Sequence, residues 1–295
     1  YLAIFSSRFF RTILQKSLKA LFLAPHQYFN FYDNNNLNIM KLGFIGTGEI
    51  TKAVVIGILG SKLKVQKIYL SERNKKISSF LRKKNKKIQI EKDNQVLINK
   101  SDWIFLAVTP KVGNQIIGKL NFKKKQVIVS FISTIQLPRL KKLTKNNKNI
   151  VRAIPLPPIS LRKGPVPIFP PNKKVKKFFS YLGTVIEINN EKKSLNFWST
   201  SGMMAPFYEL LNTLSKWLIS KGVKKSNAQS YITSLFIALS ESAYSHSNKD
   251  LSILVKNSQT PKGLNEQAVR SLRKLKFYSS TDKTLNEILK RLKNK

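Results

Sequence analysis

The sequence predicts a doubly wound, parallel α/β sheet followed by an all-α domain, and three observations carry that reading. The first is the stretch from Met40 to Leu59, MKLGFIGTGEITKAVVIGIL, a short apolar run, a glycine turn and a helical apolar pattern in direct succession. The second is a train of short apolar runs alternating with helical patterns between residues 67 and 188. The third is the absence of any convincing strand pattern from Glu191 onward, where apolar residues recur at helical spacing.

In order, Leu42 to Ile45 suits a buried strand, and Ile50, Ala53, Val54, Gly57 and Ile58 mark the helix after it. The turn between them, Gly46-Thr47-Gly48, sits where a dinucleotide fingerprint has physical meaning. Gly46 permits the tight turn, Gly48 lets backbone approach a pyrophosphate, and the helix N-terminus offers free N–H groups and partial positive charge. The third fingerprint position is Thr51, where glycine or alanine is usual. The pattern is that of a Rossmann-type domain.

Lys67 to Leu70 reads as the second strand, ending about 24 residues past Gly46, where such a domain meets the adenine ribose. Ser71 stands at its edge, followed by Glu72, Arg73 and Asn74. A hydroxyl and a guanidinium suit a 2′-phosphate through charge-assisted hydrogen bonds, so NADP(H) is the expected cofactor. NAD(H) is the alternative that an inward-pointing Glu72 would favour. Ile77 to Arg82 reads as helix, Ile88 to Ile90 as a short strand, and Asp93-Asn94 as the approach to another helix. Ser101 to Val108 is a near-continuous apolar run, as expected of a central parallel strand, and it ends in Thr109-Pro110 at the edge where such sheets bind ligands. Further strands are expected at Gln126 to Phe131, Ile150 to Ile154, Pro167 to Phe169 and Thr184 to Ile188, with a helix near Val175 to Leu182. The expected cofactor-binding residues are therefore Gly46, Thr47, Gly48, Glu49, Ile50, Ser71, Arg73, Asn94, Ala107, Val108, Thr109 and Pro110.

Beyond Glu191, Phe207, Leu210, Leu211, Leu214, Trp217 and Leu218 form a helical stripe closed by Gly222 as a C′ residue. Ser226 is placed to cap a second helix carrying Tyr231, Leu235, Phe236 and Leu239. Thr260-Pro261 breaks the chain, and Leu264 to Leu275 and Leu285 to Leu292 continue as helices. The expected domains are residues 40–190 for the nucleotide and 191–295 for the helices.

Residues 1–39 read differently: Arg8, Arg11, Lys16 and Lys19 without an acid up to residue 24, then Asn34-Asn35-Asn36, before the first methionine at Met40. They resemble either a transit peptide or translated sequence upstream of a start at Met40, and the second reading is preferred, so the segment is set outside the fold. The 295 residues contain no cysteine and two histidines, His26 and His246, which argues against metal sites and against a triad. Uncharged runs such as 194–208 and 226–240 are shorter than the roughly 18 residues of a membrane span. The net charge is +40, with lysine outnumbering arginine 44 to 10 and no aromatic platform interleaved. Readout of nucleic acid uses arginine and stacking, so no specific nucleic-acid partner is expected and the charge reads as compositional drift.

Taken together, GFIGTGEITKAVVIGIL, FLAVTP, VSFIST and RAIPLPP resemble, in order and spacing, the opening fingerprint, "LAVKP", "SIAAG" and "RxMPNTP" of the pyrroline-5-carboxylate reductase family. The likeness runs from Met40 to the C-terminus. It implies a reductase that transfers hydride to the C=N bond of a small cyclic imino acid or related imine, with a helical dimerisation domain and a homodimer or higher homo-oligomer in a proline-biosynthesis-like role. A cytoplasmic location goes with that reading. The chain departs from the family at Thr109 (lysine), at Leu156 (asparagine), within Met203-Met204-Ala205-Pro206-Phe207-Tyr208 (GSGPAY) and within Thr260 to Asn265 (SPGGTT). Carried over position by position, the expected substrate-binding residues are Pro155, Leu156, Met203, Met204, Ala205, Thr260, Gly263, Asn265 and Glu266, in a pocket more apolar than the family's. No single catalytic side chain is expected, because a protonated imine is already electrophilic and the cofactor carries the hydride. The competing readings are a small hydroxyacid dehydrogenase, a non-catalytic nicotinamide-nucleotide sensor and a polyanion binder. The first would want a lysine on the first helix of its second domain, and residues 194–214 contain none.

Overall fold

The computed structural model describes residues 39–145 and 147–293; the expectations for residues 1–38 lie outside them. The first half is one eight-stranded sheet in the order β3-β2-β1-β4-β5-β6-β7-β8. The strands are β1 (Met40–Ile45), β2 (Val65–Ser71), β3 (Ile88–Glu91), β4 (Trp103–Leu106), β5 (Val127–Ser130), β6 (Ile150–Ala153), β7 (Pro165–Phe169) and β8 (Thr184–Glu187). The first six pair in parallel; strands β2 and β3 are added on one side of β1 and β4 to β6 on the other, so the winding order reverses between β1 and β4. β7 runs antiparallel to β6 and parallel to β8. That reversal is not visible in residue pattern, because a strand's apolar content does not encode its direction.

Helices α1 (Glu49–Leu59), α2 (Lys75–Lys84), α3 (Asn94–Lys100), α4 (Pro110–Ile116), α5 (Leu137–Leu143) and α6 (Lys173–Ser180) connect the strands. Asn74, Asp93 and Asn172 cap α2, α3 and α6 by accepting N–H groups of their first turns. One face of the sheet is aromatic. Phe44 and Phe105 stack at 4.4 Å, and Trp103, Phe131, Phe178 and Phe179 complete the cluster. The other face is aliphatic, built from Ile45, Ile104, Leu106, Ile128 and Leu140.

The all-helical part starts at α7 (Glu191–Ser201) and continues with α8 (Met204–Ser220), α9 (Lys225–Ser245), α10 (Ser252–Asn257), α11 (Leu264–Lys274) and α12 (Phe277–Lys293). Gly222 takes φ +87° just past α8, and its N–H and that of Val223 return to Ile219 and Leu218, the paired bonds of a Schellman stop. The cap expected at Ser226 is not there. α9 starts at Lys225, two residues earlier than a Ser226 cap would set it, and the Ser226 hydroxyl donates to the Asn227 side-chain carbonyl from inside the first turn. Among the described residues no helix is long and apolar enough to cross a membrane.

A buried charge joins α7 to the sheet. Arg152 on β6 is fully buried, pairs with Glu191, and donates Nη2–H to the Ser133 carbonyl at 2.6 Å. Its guanidinium lies 4.2 Å from the Trp198 ring. Burial pushes the Arg152 pKa down, and the Glu191 carboxylate opposes that. Glu191 also accepts the Leu137 N–H at 2.7 Å. One ion pair thus ties β6, the β5–α5 loop and the first helix of the second half.

Candidate functional site

The Gly46 turn is built from both sides. Gly46 has φ +100°, and a Cβ there would lie 2.3 Å from the Ala107 carbonyl oxygen, so only glycine fits. Its N–H donates to Ser71 Oγ at 2.9 Å, and Thr47 Oγ1 donates to the Ser71 carbonyl at 2.6 Å. Thr51 Oγ1 donates to the Gly46 carbonyl at 2.6 Å. The irregular third fingerprint position is thereby explained: fully buried Thr51 secures the turn by a hydrogen bond where glycine or alanine would secure it by close packing.

Gly48 forms the N-cap of α1 with no capping side chain, and the space its Cβ would occupy is open to 4 Å. The first N–H groups of α1 therefore face the cleft without intrahelical partners. The cleft, about 560 Å³, is lined by Gly46, Thr47, Gly48, Ala107, Val108 and Thr109 on one side and Arg73, Asn74 and Lys75 on the other. A smaller chamber of about 250 Å³ shares Gly46, Arg73, Lys75 and Val108 and adds Ser71, Glu72, Lys92 and Asn94.

Nine of the twelve expected cofactor residues thus line two adjoining chambers. Glu49 pairs with Lys52 at 3.2 Å, Ile50 is half-buried, and Pro110 is the first residue of α4; these three stand at the margin. Ser71 is committed to bracing the glycine turn as well as lining the smaller chamber. The chambers are also lined by Ile45, Glu72, Asn74, Lys75, Lys92 and Ile116, which are not among the twelve; of these Asn74, Lys75 and Lys92 bring polar groups that the sequence did not single out as ligands. Their signal was position, immediately after β2 and β3, and it was hidden in a lysine-rich chain.

The expected substrate residues are dispersed. Pro155 is buried and Leu156 half-buried at the end of β6, before a 3-10 turn at Pro157–Leu161 that packs on α1. Met203 and Met204 are half-buried between α7 and α8, and Ala205 is exposed. Thr260 and Glu266 line a third cavity of about 460 Å³ between α10 and α11, with Lys256 and Arg273. Gly263 N–H donates to the Thr260 carbonyl at 2.8 Å, the Asn265 amide donates to Ser258 O at 2.8 Å, and Glu266 accepts the Lys262 N–H at 2.5 Å. This turn is held by its own side chains. None of the nine substrate candidates lines the nucleotide cleft of the same chain.

The comparisons with known proteins fall on both halves. Residues 41–134 match the family described as NADP oxidoreductase, coenzyme F420-dependent, and residues 197–295 match pyrroline-5-carboxylate reductase dimerisation. A pyrroline-5-carboxylate reductase of Haemophilus influenzae is 21% identical over 85% of this chain and 95% of its own length. Among solved structures, the 1-pyrroline-5-carboxylate reductase of Streptococcus pyogenes superposes with TM-score 0.75 at 20% identity, covering 88% of this chain and all of that one. The Plasmodium falciparum pyrroline carboxylate reductase with NADP bound superposes with TM-score 0.74 at 20% identity, over 86% and 97% of the two chains.

Proposed function

We propose that this chain, which resembles the pyrroline-5-carboxylate reductases across both halves, is an NADPH-dependent reductase of the C=N bond in a small cyclic imine or imino acid. The observation that carries the proposal is the order of matches: a nucleotide half that opens on the glycine turn, then a reductase-type dimerisation half, with 95% of a relative's length covered. The cleft suits the cofactor's phosphates, because Gly48 leaves the approach to α1 open and Arg73 and Lys75 stand opposite. NADPH, once bound, supplies the hydride. The chain's part is to hold the dinucleotide along Gly46 to Gly48, fix its ribose end near Arg73, and keep the reacting face dry. A cytoplasmic setting is part of the same proposal.

Replacing Arg73 by Ala should weaken NADPH by about 1.5–3 kcal/mol and leave NADH nearly unchanged, since one charge-assisted bond to the extra phosphate is lost. Titration of both cofactors by fluorescence checks this, and equal losses would assign Arg73 no part in the choice.

The second half is proposed to form a homodimer. Trp217 is 60%, Tyr231 63% and Leu264 85% exposed in the single chain, a surface that asks for a covering partner. The partner's α10–α11 turn, with Thr260 and Glu266, would then complete the substrate pocket. Sedimentation should show a dimer or larger species at micromolar protein; a stable monomer would remove both the dimer and the shared pocket.

Turnover of a panel of cyclic imines, with and without a carboxylate, followed by NADPH oxidation, tests the reaction. Leu156, Met203, Met204 and Leu264 replace small or polar family residues by bulkier apolar ones, so imines with an apolar body should be the better substrates. Tight NADPH binding without turnover of any imine would favour a nucleotide sensor.

A further inference from the structure

The lysines and acids of the first half are not distributed alike over the two edges of the sheet. The six parallel strands begin at the edge opposite the nucleotide cleft. Lys86 and Lys87 precede β3 there, Lys64 precedes β2, Lys124 and Lys125 precede β5, and Lys148 precedes β6. All six are exposed, and none forms an ion pair with a described residue. Among the described residues of the loops that precede the six parallel strands, Asp102 is the one acid, and its carboxylate accepts the Lys41 N–H at 2.8 Å. Glu49, Glu72, Glu91 and Asp93, the remaining acids before β6, stand at the opposite edge.

A bias toward lysine in the whole sequence does not sort the acids onto one edge. The preference of helix C-termini for cations acts within the last turn, and these six lysines lie in the loops beyond. The loops are fixed to one another: Asn147 and Asn149 side chains donate to the Lys123 and Lys124 carbonyls at 3.1 and 3.2 Å, and Lys123 Nζ donates to the Asn99 carbonyl at 2.6 Å. Six strands span about 24 Å, a length over which one strand of a duplex carries about seven phosphates.

We propose that this edge binds the sugar-phosphate backbone of nucleic acid, independently of sequence and apart from the nucleotide cleft. Lysine serves as a point charge for phosphate, and the loops offer neither arginine forks for base edges nor exposed rings for stacking. Among the described residues of these loops Ile39, before β1, is the one exposed large apolar side chain, too little apolar surface to enter a lipid layer.

The test is fluorescence anisotropy of labelled duplex and single-stranded oligonucleotides of about 20 nucleotides across a salt series. The variant with Lys64, Lys86, Lys87, Lys124, Lys125 and Lys148 all changed to Gln should bind roughly tenfold or more weakly at about 150 mM salt, its salt slope falling by about 0.9 for each phosphate contact removed. A charge-matched control, with Lys216, Lys221, Lys249, Lys274, Lys283 and Lys290 changed to Gln, should stay within about threefold of the wild type. Both variants should keep wild-type NADPH affinity, a reading independent of reductase activity. The duplex and single strand together show which backbone form is preferred. Equal losses in the two variants, no binding of either oligonucleotide by the wild type, or capture by phosphatidylserine vesicles alone would overturn the proposal.

Discussion

Changing Gly46 to Ala should cost the protein both stability and cofactor, whereas changing Gly48 to Ala should cost it cofactor alone. At Gly46 the backbone is left-handed and the added Cβ would meet the Ala107 carbonyl oxygen at 2.3 Å and Val108 Cγ1 at 2.8 Å. Neither neighbour can yield freely, because the Ala107 N–H is bonded to the Ile45 carbonyl at 2.8 Å and holds β4 against β1. The turn must shift, and the bonds from Gly46 to Ser71 and from Thr51 to Gly46 shift with it. A cost of about 2–4 kcal/mol in unfolding is expected, with NADPH affinity down at least tenfold. At Gly48 nothing lies within 4 Å of the new methyl group, so the melting temperature should hold. The methyl would instead occupy the space through which a pyrophosphate approaches α1. Calorimetry and NADPH titration of the two variants decide the matter, and a stable Gly46→Ala variant with normal NADPH affinity would refute the account of the turn.

Replacing Glu191 by Ala should destabilise the protein by about 3 kcal/mol, because it leaves a buried guanidinium without its carboxylate. The Leu137 N–H loses its acceptor in the same step. For a chain of this size the melting temperature should fall by roughly 5 °C. Replacing both partners, Arg152→Met with Glu191→Leu, should recover much of the loss, since an apolar pair carries no desolvation cost. Thermal unfolding of the single and double variants checks both statements. A loss below about 1 kcal/mol for Glu191→Ala would mean that solvent at the partly open carboxylate screens the pair.

Most of the nucleotide half was legible because its signals are local. A strand, a glycine turn and a helix within Met40 to Leu59 constrain one another, and the central runs at Trp103 to Leu106 and Val127 to Ser130 are apolar on both faces. What escaped the sequence depends on partners far apart in the chain. Thr51 looked like an imperfection until its hydroxyl was seen on the Gly46 carbonyl, and Ser71 looked like a phosphate ligand before its bond to the Gly46 N–H was known. Arg152 read only as a motif letter, whereas its role comes from Glu191, Ser133 and Trp198. Lys75 was invisible as a cleft residue because a lysine-rich sequence gives no contrast. The Ser226 cap failed by two residues: the N-cap position falls on Lys224, and no side chain caps α9 there.

The reaction itself is tested most directly by isotope transfer. Enzyme loaded with NADPH carrying deuterium at the transferable C4 position is mixed with a cyclic imine for one turnover, and the amine product is weighed by mass spectrometry. The account predicts one deuterium per product molecule, bound to the former imine carbon, with the amine proton drawn from solvent. Product free of deuterium, or bound NADPH left unoxidised with every imine offered, would contradict it.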